Sequence, residues 1–218
     1  MTDPVKPPRR YDATRRQEQA EENRRRVVAT AGRLFREKGY ADAAMPEIAR
    51  EAGVSVQMVY KVFANKATLL KAVFDSSVAG DDEPTPMTER DVIGAIQAEP
   101  DAVRKITMYV QHLAEGAHRH APLQLLARDA ASADRTAADV WAQMRRETLT
   151  AMTYFSQDLV ATGQVRKALP AADVRDILWT YHSPELYELL VIERGWPAER
   201  YGDFVANAMI AAVLEPTR

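Results

Sequence analysis

Apolar positions recur at helical spacing along almost the whole chain, and nowhere do apolar and polar residues alternate over the length of a strand. Val27, Val28, Ala31, Leu34 and Phe35 share one face of a helix predicted from about Glu21 to Lys38, which Gly39 stops. Ile48, Ala49, Ala52, Val54 and Val59 then fall inward across two short helices, broken at Gly53 and restarted at Ser55. A further helix opens near Lys66 and carries Leu69, Leu70, Val73 and Phe74 toward Gly80. Residues 81–87 are acidic with two prolines and predict a linker, after which Thr88 with Asp91 predicts a helix cap. Pro100 suits the first turn of the next helix, expected to reach about Arg119 and to be followed by shorter helical material after Pro122. A long helix is predicted from Asp134 to Thr162, closed by Gly163. One from Pro170 to Arg194 carries a kink or break at Pro184, and Pro197 opens the last, from 198 to 214.

The fold class this predicts is all-α. We expect a flexible basic arm over 1–20, a three-helix helix-turn-helix unit over 21–66 and a second helical domain over 67–218. The stretch 44–70 decides the functional reading. Gly53 occupies a turn position that wants a left-handed backbone, and Ser55 is placed to accept the free N–H groups of the helix it opens. The inward residues on either side make a helix-turn-helix. The second of its helices is expected to keep Val56, Gln57, Met58, Tyr60 and Lys61 clear of the core, at the end a recognition helix presents to base edges in the major groove. Duplex DNA is the partner this implies.

Charge supports the motif. The first 80 residues hold 15 Lys or Arg against 10 Asp or Glu, whereas the remainder holds 14 against 21, so a basic third precedes an acidic body. The 46% apolar content is ample for a core in 218 residues. No run of about 18 apolar residues is present, so no membrane partner is expected. The N-terminus lacks the apolar segment of a secretory signal, and a cytoplasmic location is expected. With no cysteine, disulfides, thiol nucleophiles and cysteine-ligated metals are excluded. The four histidines form no His-x3-His pair, so neither metal nor cofactor is expected. There is no Gly-rich phosphate loop, nucleophile elbow or metal motif, and an enzyme is not expected.

Three segments together carry a resemblance: Ala31-Gly32-Arg33-Leu34-Phe35-Arg36-Glu37-Lys38-Gly39-Tyr40, Ile48-Ala49-Arg50-Glu51-Ala52-Gly53-Val54-Ser55, and Tyr60-x-x-Phe63-x-x-Lys66-x-x-Leu69-Leu70. In order and spacing they resemble the TetR family of bacterial transcriptional regulators. The chain departs from the family pattern at Ala43 and Ala44, where Thr or Ser usually caps the second helix; Asp42 is the alternative cap. It departs again at Val62, where an aromatic residue or His is common.

Candidate DNA-binding residues are Arg24, Arg26, Ser55, Val56, Gln57, Met58, Tyr60, Lys61 and Lys66. Gln57 suits adenine, Val56 and Met58 a thymine methyl, and Lys61 guanine or phosphate. The resemblance implies that the Tyr60 hydroxyl meets a phosphate. Lys66 at a helix N-terminus favours an anion on the same backbone. Arg24, Arg25 and Arg26 cluster on the first helix, at helical spacing from Glu21 and Glu22. Arg9, Arg10, Arg15 and Arg16 either enter a neighbouring minor groove or stay solvated. Phe63 is assigned to the core.

In the body, Met108, Tyr109, His112, Trp141, Met144, Met152, Phe155, Trp179 and His182 sit at helical spacing, as plain core does. The resemblance implies that as a group they line a pocket for an unidentified small apolar or amphipathic effector. The last two long helices expose Ile177, Leu178, Tyr181, Leu189, Leu190 and Ile192 with Phe204, Val205, Met209, Ile210 and Val213. A two-fold interface would hide them and supply the paired heads a palindromic operator requires. The expectation is a homodimeric repressor released by its effector; the alternative is a ligand-independent regulator or structural DNA-binding protein with a solid body.

Overall fold

The computed structural model describes residues 10–79 and 91–216. Ten helices follow one another among them: α1 Arg10–Asp42, α2 Met45–Glu51, α3 Val56–Phe63, α4 Lys66–Ala79, α5 Asp91–Ala98, α6 Ala102–Ala130, α7 Arg135–Ala161, α8 Ala171–Tyr181, α9 Pro184–Tyr187 and α10 Ala198–Val213. The only extended pairing among the described residues is a single antiparallel bridge between Val165 and Leu214.

Most boundaries follow the predicted signals. Gly39 takes a non-helical backbone (φ 79°, ψ 175°) that kinks α1. Asp134 caps α7 by accepting from the Thr136 and Ala137 amides, and Gly163 beyond α7 has φ 72°. The break foreseen at Pro184 is complete. Ser183 caps α9 by accepting from the Glu185 amide, and α9 widens into a π-helical stretch, Glu188–Glu193.

Four expectations are corrected. Helix α1 starts at Arg10, so its N-terminal part includes residues 10–20, assigned to an arm because they lack an apolar face. Gln17–Glu21 and Gln19–Asn23 side-chain hydrogen bonds at helical spacing, both 3.2 Å, link that part to the next turn. Helix α6 runs unbroken through Pro122. Burial of the adjoining Ala121, Leu123, Gln124 and Leu125 offsets the roughly 3 kcal/mol that an interior proline costs. Asp42 ends α1 rather than capping α2, whose N-cap is Ala44 with no side-chain bond. The apolar face expected at the C-terminus is spent inside the chain in part: Leu178, Val205, Met209 and Val213 are fully buried, Ile177, Tyr181, Leu190 and Ile210 half-buried, and Leu189, Ile192 and Phe204 widely exposed. The linker at 81–87, the Thr88 cap and Arg9 lie outside the described residues.

Two cores are present. The first joins α1–α4 to Leu123 and Ala127 of α6 and to Ala137, Val140 and Met144 of α7. The second packs α5, the first half of α6 and the second half of α7 against α8, α9 and α10. Helices α6 and α7 therefore serve both, one end in each. At the first core the polar links are Tyr40 Oη donating to Asp134 (2.7 Å) and Lys71 pairing with Glu147 (2.9 Å). Desolvation and the Asp134 carboxylate push the Tyr40 hydroxyl up, while hydrogen bonds from the Thr136 and Tyr40 hydroxyls hold Asp134 at about 2.

Candidate nucleic-acid interface and body cavity

Helix α3 is held from behind and left open in front. Val59 and Phe63 are buried in the first core. The Ser55 Oγ accepts from the Met58 amide at 3.2 Å, satisfying one of the amides a helix start leaves unpaired. Gly53 makes the preceding turn at φ 67°. Ion pairs Lys38–Glu47 (2.7 Å) and Arg33–Glu51 tie α2 to α1, and Arg33 pairs also with Glu37 (2.8 Å) within α1. What faces solvent is Gln57, Lys61, Tyr60 (48% exposed) and Val62 (43%). Gln57 and Lys61 make no side-chain hydrogen bond or ion pair among the described residues.

Beside this face stand two arginines of α1. Arg26 donates to Asn23 Oδ1 at 2.6 Å, and one of its terminal nitrogens would lie 3.8 Å from a Cβ added at Gly53. Arg24 lies over the Phe63 ring at 5.7 Å. Arg25 pairs with Glu22 at 2.8 Å.

Three expectations for this face need correction. Val56 and Met58 are half-buried, packed on the first core, because an eight-residue helix has too few positions to bury Val59 and Phe63 without engaging their flanks. Lys66 does not offer a free ammonium. Its Nζ donates to the carbonyls of Tyr40 (2.6 Å) and Ala41 (3.0 Å) and lies 4.5 Å from the Tyr40 ring centre. It closes the end of α1, and desolvation lowers its pKa. The N-terminus of α4 is instead satisfied by a reciprocal cap: Asn65 Oδ1 accepts from the Thr68 amide (2.8 Å) and Thr68 Oγ1 from the Asn65 amide (3.3 Å). The Asn-x-x-Thr spacing was the signal for it.

The body holds a cavity of about 260 Å³ at the α8–α9 break, lined by Gln124 of α6, Trp141, Arg145 and Thr148 of α7, Trp179 and Thr180 of α8, and His182, Ser183, Pro184 and Glu185. Of the nine residues expected in a pocket, it takes Trp141, Trp179 and His182. Met144 is part of the first core; Met152 and Phe155 are part of the second, and Met108 and Tyr109 pack against it. His112 is half-buried and does not line the cavity. Long apolar residues at helical spacing look alike whether they fill a core or wall a cavity.

Tyr109 backs the cavity. Its hydroxyl is 2.6 Å from His182 Nδ1, and its ring is 4.4 Å from that of Phe155. Desolvation holds His182 at about 4, so the ring is neutral at neutral pH. Gln124, Arg145, Thr148 and Glu185 were missed. Gln124 carried a signal: it continues the buried face Ala117–Ala121 of α6 as its one amide. Arg145 follows Trp141 by four residues, the spacing at which helical neighbours stack. Among the described residues, no group of His, Asp and Glu is arranged to hold a metal ion, and no helix is long and apolar enough to cross a membrane.

Comparison with known proteins agrees with this geometry. The family model described as bacterial regulatory proteins, tetR family, matches residues 27–73, the C-terminal half of α1, all of α2 and α3 and the first part of α4. Over those residues the chain is similar to the tetR family of bacterial regulatory proteins. The HTH-type transcriptional regulator TtgR of Pseudomonas putida is 39% identical over 62 residues, which is 28% of this chain and 30% of that regulator. The TetR-like sequence match thus spans under a third of that regulator's length. Solved structures extend the likeness of fold through the body. A putative transcriptional regulator from Saccharomonospora viridis in complex with choline has a TM-score of 0.64 at 16% identity, over 88% of this chain and 98% of that one. FadR from Bacillus subtilis in complex with stearoyl-CoA has a TM-score of 0.67 at 18% identity, over 85% and 97%.

Proposed function

We propose that this chain is a ligand-responsive transcriptional regulator of the TetR kind, a repressor that binds a palindromic operator as a homodimer and leaves it when a small molecule enters the body. The observation that carries the reading is the outer face of α3: Gln57, Tyr60 and Lys61 stand exposed on a helix capped at Ser55, beside Arg24 and Arg26, over a rigid core. Phosphates supply most of the affinity in such an interface, and a few base-facing side chains supply the preference. Ser55, Tyr60, Arg24 and Arg26 are assigned to the backbone. Gln57 and Lys61 are assigned to base edges, and the exposed parts of Val56 and Met58 to thymine methyls.

Self-association is supported by the apolar surface left on the last elements, Leu189, Ile192 and Phe204. A two-fold pair would set two α3 helices on successive major grooves, about 34 Å apart. Ligand response is supported by the cavity beside α6 and α7 and by Trp141, which lines it and packs against the first core. It is further supported by two structures of similar fold in complex with choline and with stearoyl-CoA. A ligand acts only through its differential affinity for the DNA-bound and free conformers.

The test is selection of bound sequences from random duplex DNA with the purified full chain, followed by a salt titration on the selected site. Affinity should fall by several orders of magnitude between 50 and 200 mM salt, roughly. Tyr60→Phe should weaken all sequences alike, and Gln57→Ala should change which sequence is preferred. Affinity that ignores salt, or no selected sequence at all, removes the reading.

A further inference from the structure

The polar groups around the body cavity divide sharply into satisfied and unsatisfied. Thr148 Oγ1 donates to the Met144 carbonyl (3.1 Å) and Thr180 Oγ1 to the Asp176 carbonyl (2.8 Å). Ser183 Oγ donates to the Glu185 carboxylate, whose other oxygen lies 3.7 Å from an Arg128 guanidinium nitrogen. His182 Nδ1 is occupied by the Tyr109 hydroxyl. The Trp141 and Trp179 indole N–H groups and His182 Nε2 make no hydrogen bond among the described residues, and two further groups bear most directly on a ligand's chemistry.

Gln124 is 5% exposed, lines the cavity, and its side-chain amide makes no hydrogen bond among the described residues. An amide buried without a partner costs about 1–3 kcal/mol, so such groups rarely persist unless a ligand or water satisfies them. Arg145, at the same cavity, has no acidic partner among the described residues. Its guanidinium instead lies 4.7 Å from the ring centre of Trp179 and 5.8 Å from that of Trp141. A guanidinium held by its face against indoles keeps its edge N–H fork available, and that fork matches a carboxylate. The one carboxylate on the wall, Glu185, accepts from Ser183 and lies 3.7 Å from Arg128, whose closer partners are Glu188 and Asp129, so Arg145 is the wall's charged group with no ion pair among the described residues.

We propose that this cavity takes a small planar carboxylate, its anionic end gripped by Arg145, its ring or conjugated chain against Trp141 and Trp179, and a further polar group on the Gln124 amide. The site is that of the effector in the regulatory reading above, which it deepens by naming the ligand's chemistry. A quaternary ammonium would meet Arg145 at the faces it needs. At about 260 Å³ the volume is just below the roughly 300–1,000 Å³ of small-molecule pockets, which favours a compact ligand.

Two of the three tryptophans line the cavity, so indole emission of the full chain reports occupancy directly. We would titrate benzoate, trans-cinnamate and indole-3-carboxylate, the primary amides of the same three, and benzyltrimethylammonium. At least one carboxylate should bind saturably and about tenfold or more tighter than its own amide. Arg145→Met, at an exposed position, should abolish that preference with the melting temperature unchanged. Arg145→Lys should restore part of it, and Gln124→Leu should weaken the carboxylate that binds best. The proposal is overturned if the ammonium binds as tightly as the carboxylates, if no carboxylate outbinds its amide, or if Arg145→Met leaves the preference intact. Operator affinity measured alongside separates the two claims. Arg145-dependent carboxylate binding that leaves DNA affinity unmoved sinks the effector role and keeps the site. Salt-dependent DNA binding without any carboxylate binding does the reverse.

Discussion

His182 shows how much one side chain carries that its residue type did not announce. Desolvation holds its pKa at about 4, and desolvation followed by the nearby His182 holds His120 at about 3. Both values lie below the ordinary histidine value near 6.5. A group whose folded pKa is depressed stabilises the fold above its unfolded pKa and loses that contribution as pH falls toward the folded one. Unfolding free energy should therefore decline between about pH 6.5 and pH 4. Denaturant melts across that window should show it, and His182→Gln should flatten the decline; an identical slope in the variant would remove His182 as its source. Lys66 makes the complementary point. Its place in the family-like motif was readable, but two carbonyls of a helix end lie 26 and 25 residues away in the chain, and no local pattern encodes that contact. Lys66→Met should cost about 1–3 kcal/mol of stability through those unpaired carbonyls, measurable by calorimetry.

Elements were more legible than residues, because they are written in local chemistry. Gly39, Gly53, Ser55, Asp134, Gly163 and Pro184 each mark a boundary by what their own backbone or side chain does, and the structure uses each one. The boundaries misjudged were those set by tertiary context. Helix α6 survives Pro122 because its flanks are buried, and α1 extends to Arg10 on a charged stretch that offers no apolar signal. Burial partners were less legible still: Met108, Met144, Met152, Phe155 and Trp141 share one spacing pattern, and only Trp141 meets the cavity. The turn between α2 and α3 gives the sharpest check at this scale. Gly53→Ala forces a side chain into φ 67° and should cost about 1–2 kcal/mol. Ser55→Ala removes the cap for about 1 kcal/mol. Circular-dichroism melts of both variants should show these losses, with DNA affinity falling further than stability if α3 is the reading helix.

At the scale of the whole molecule, the described residues gather into two cores, and α6 and α7 belong to both. Leu123, Ala127, Ala137, Val140 and Met144 complete the core beneath α3, while the other ends of the same helices hold Ile106, Val110 and Leu159 among α8–α10. A shift of α6 or α7 therefore displaces the head and the cavity wall together, and Trp141 packs against both. The polar joint to examine is Tyr40–Asp134, because it ties the kinked end of α1 to the cap of α7 at 2.7 Å. A hydrogen bond to a carboxylate is worth about 1.5–3 kcal/mol where it is shielded and less where water competes. A double-mutant cycle of Tyr40→Phe and Asp134→Asn, followed by denaturant unfolding, should return a coupling energy of about 1 kcal/mol, with Asp134→Asn alone costing more because it also weakens the α7 cap. Additive losses would mean that this hydrogen bond does not join head to body, leaving that to apolar packing and the Lys71–Glu147 pair. In that case, a ligand in the cavity would act through Trp141 and Met144 with no contribution from this hydrogen bond.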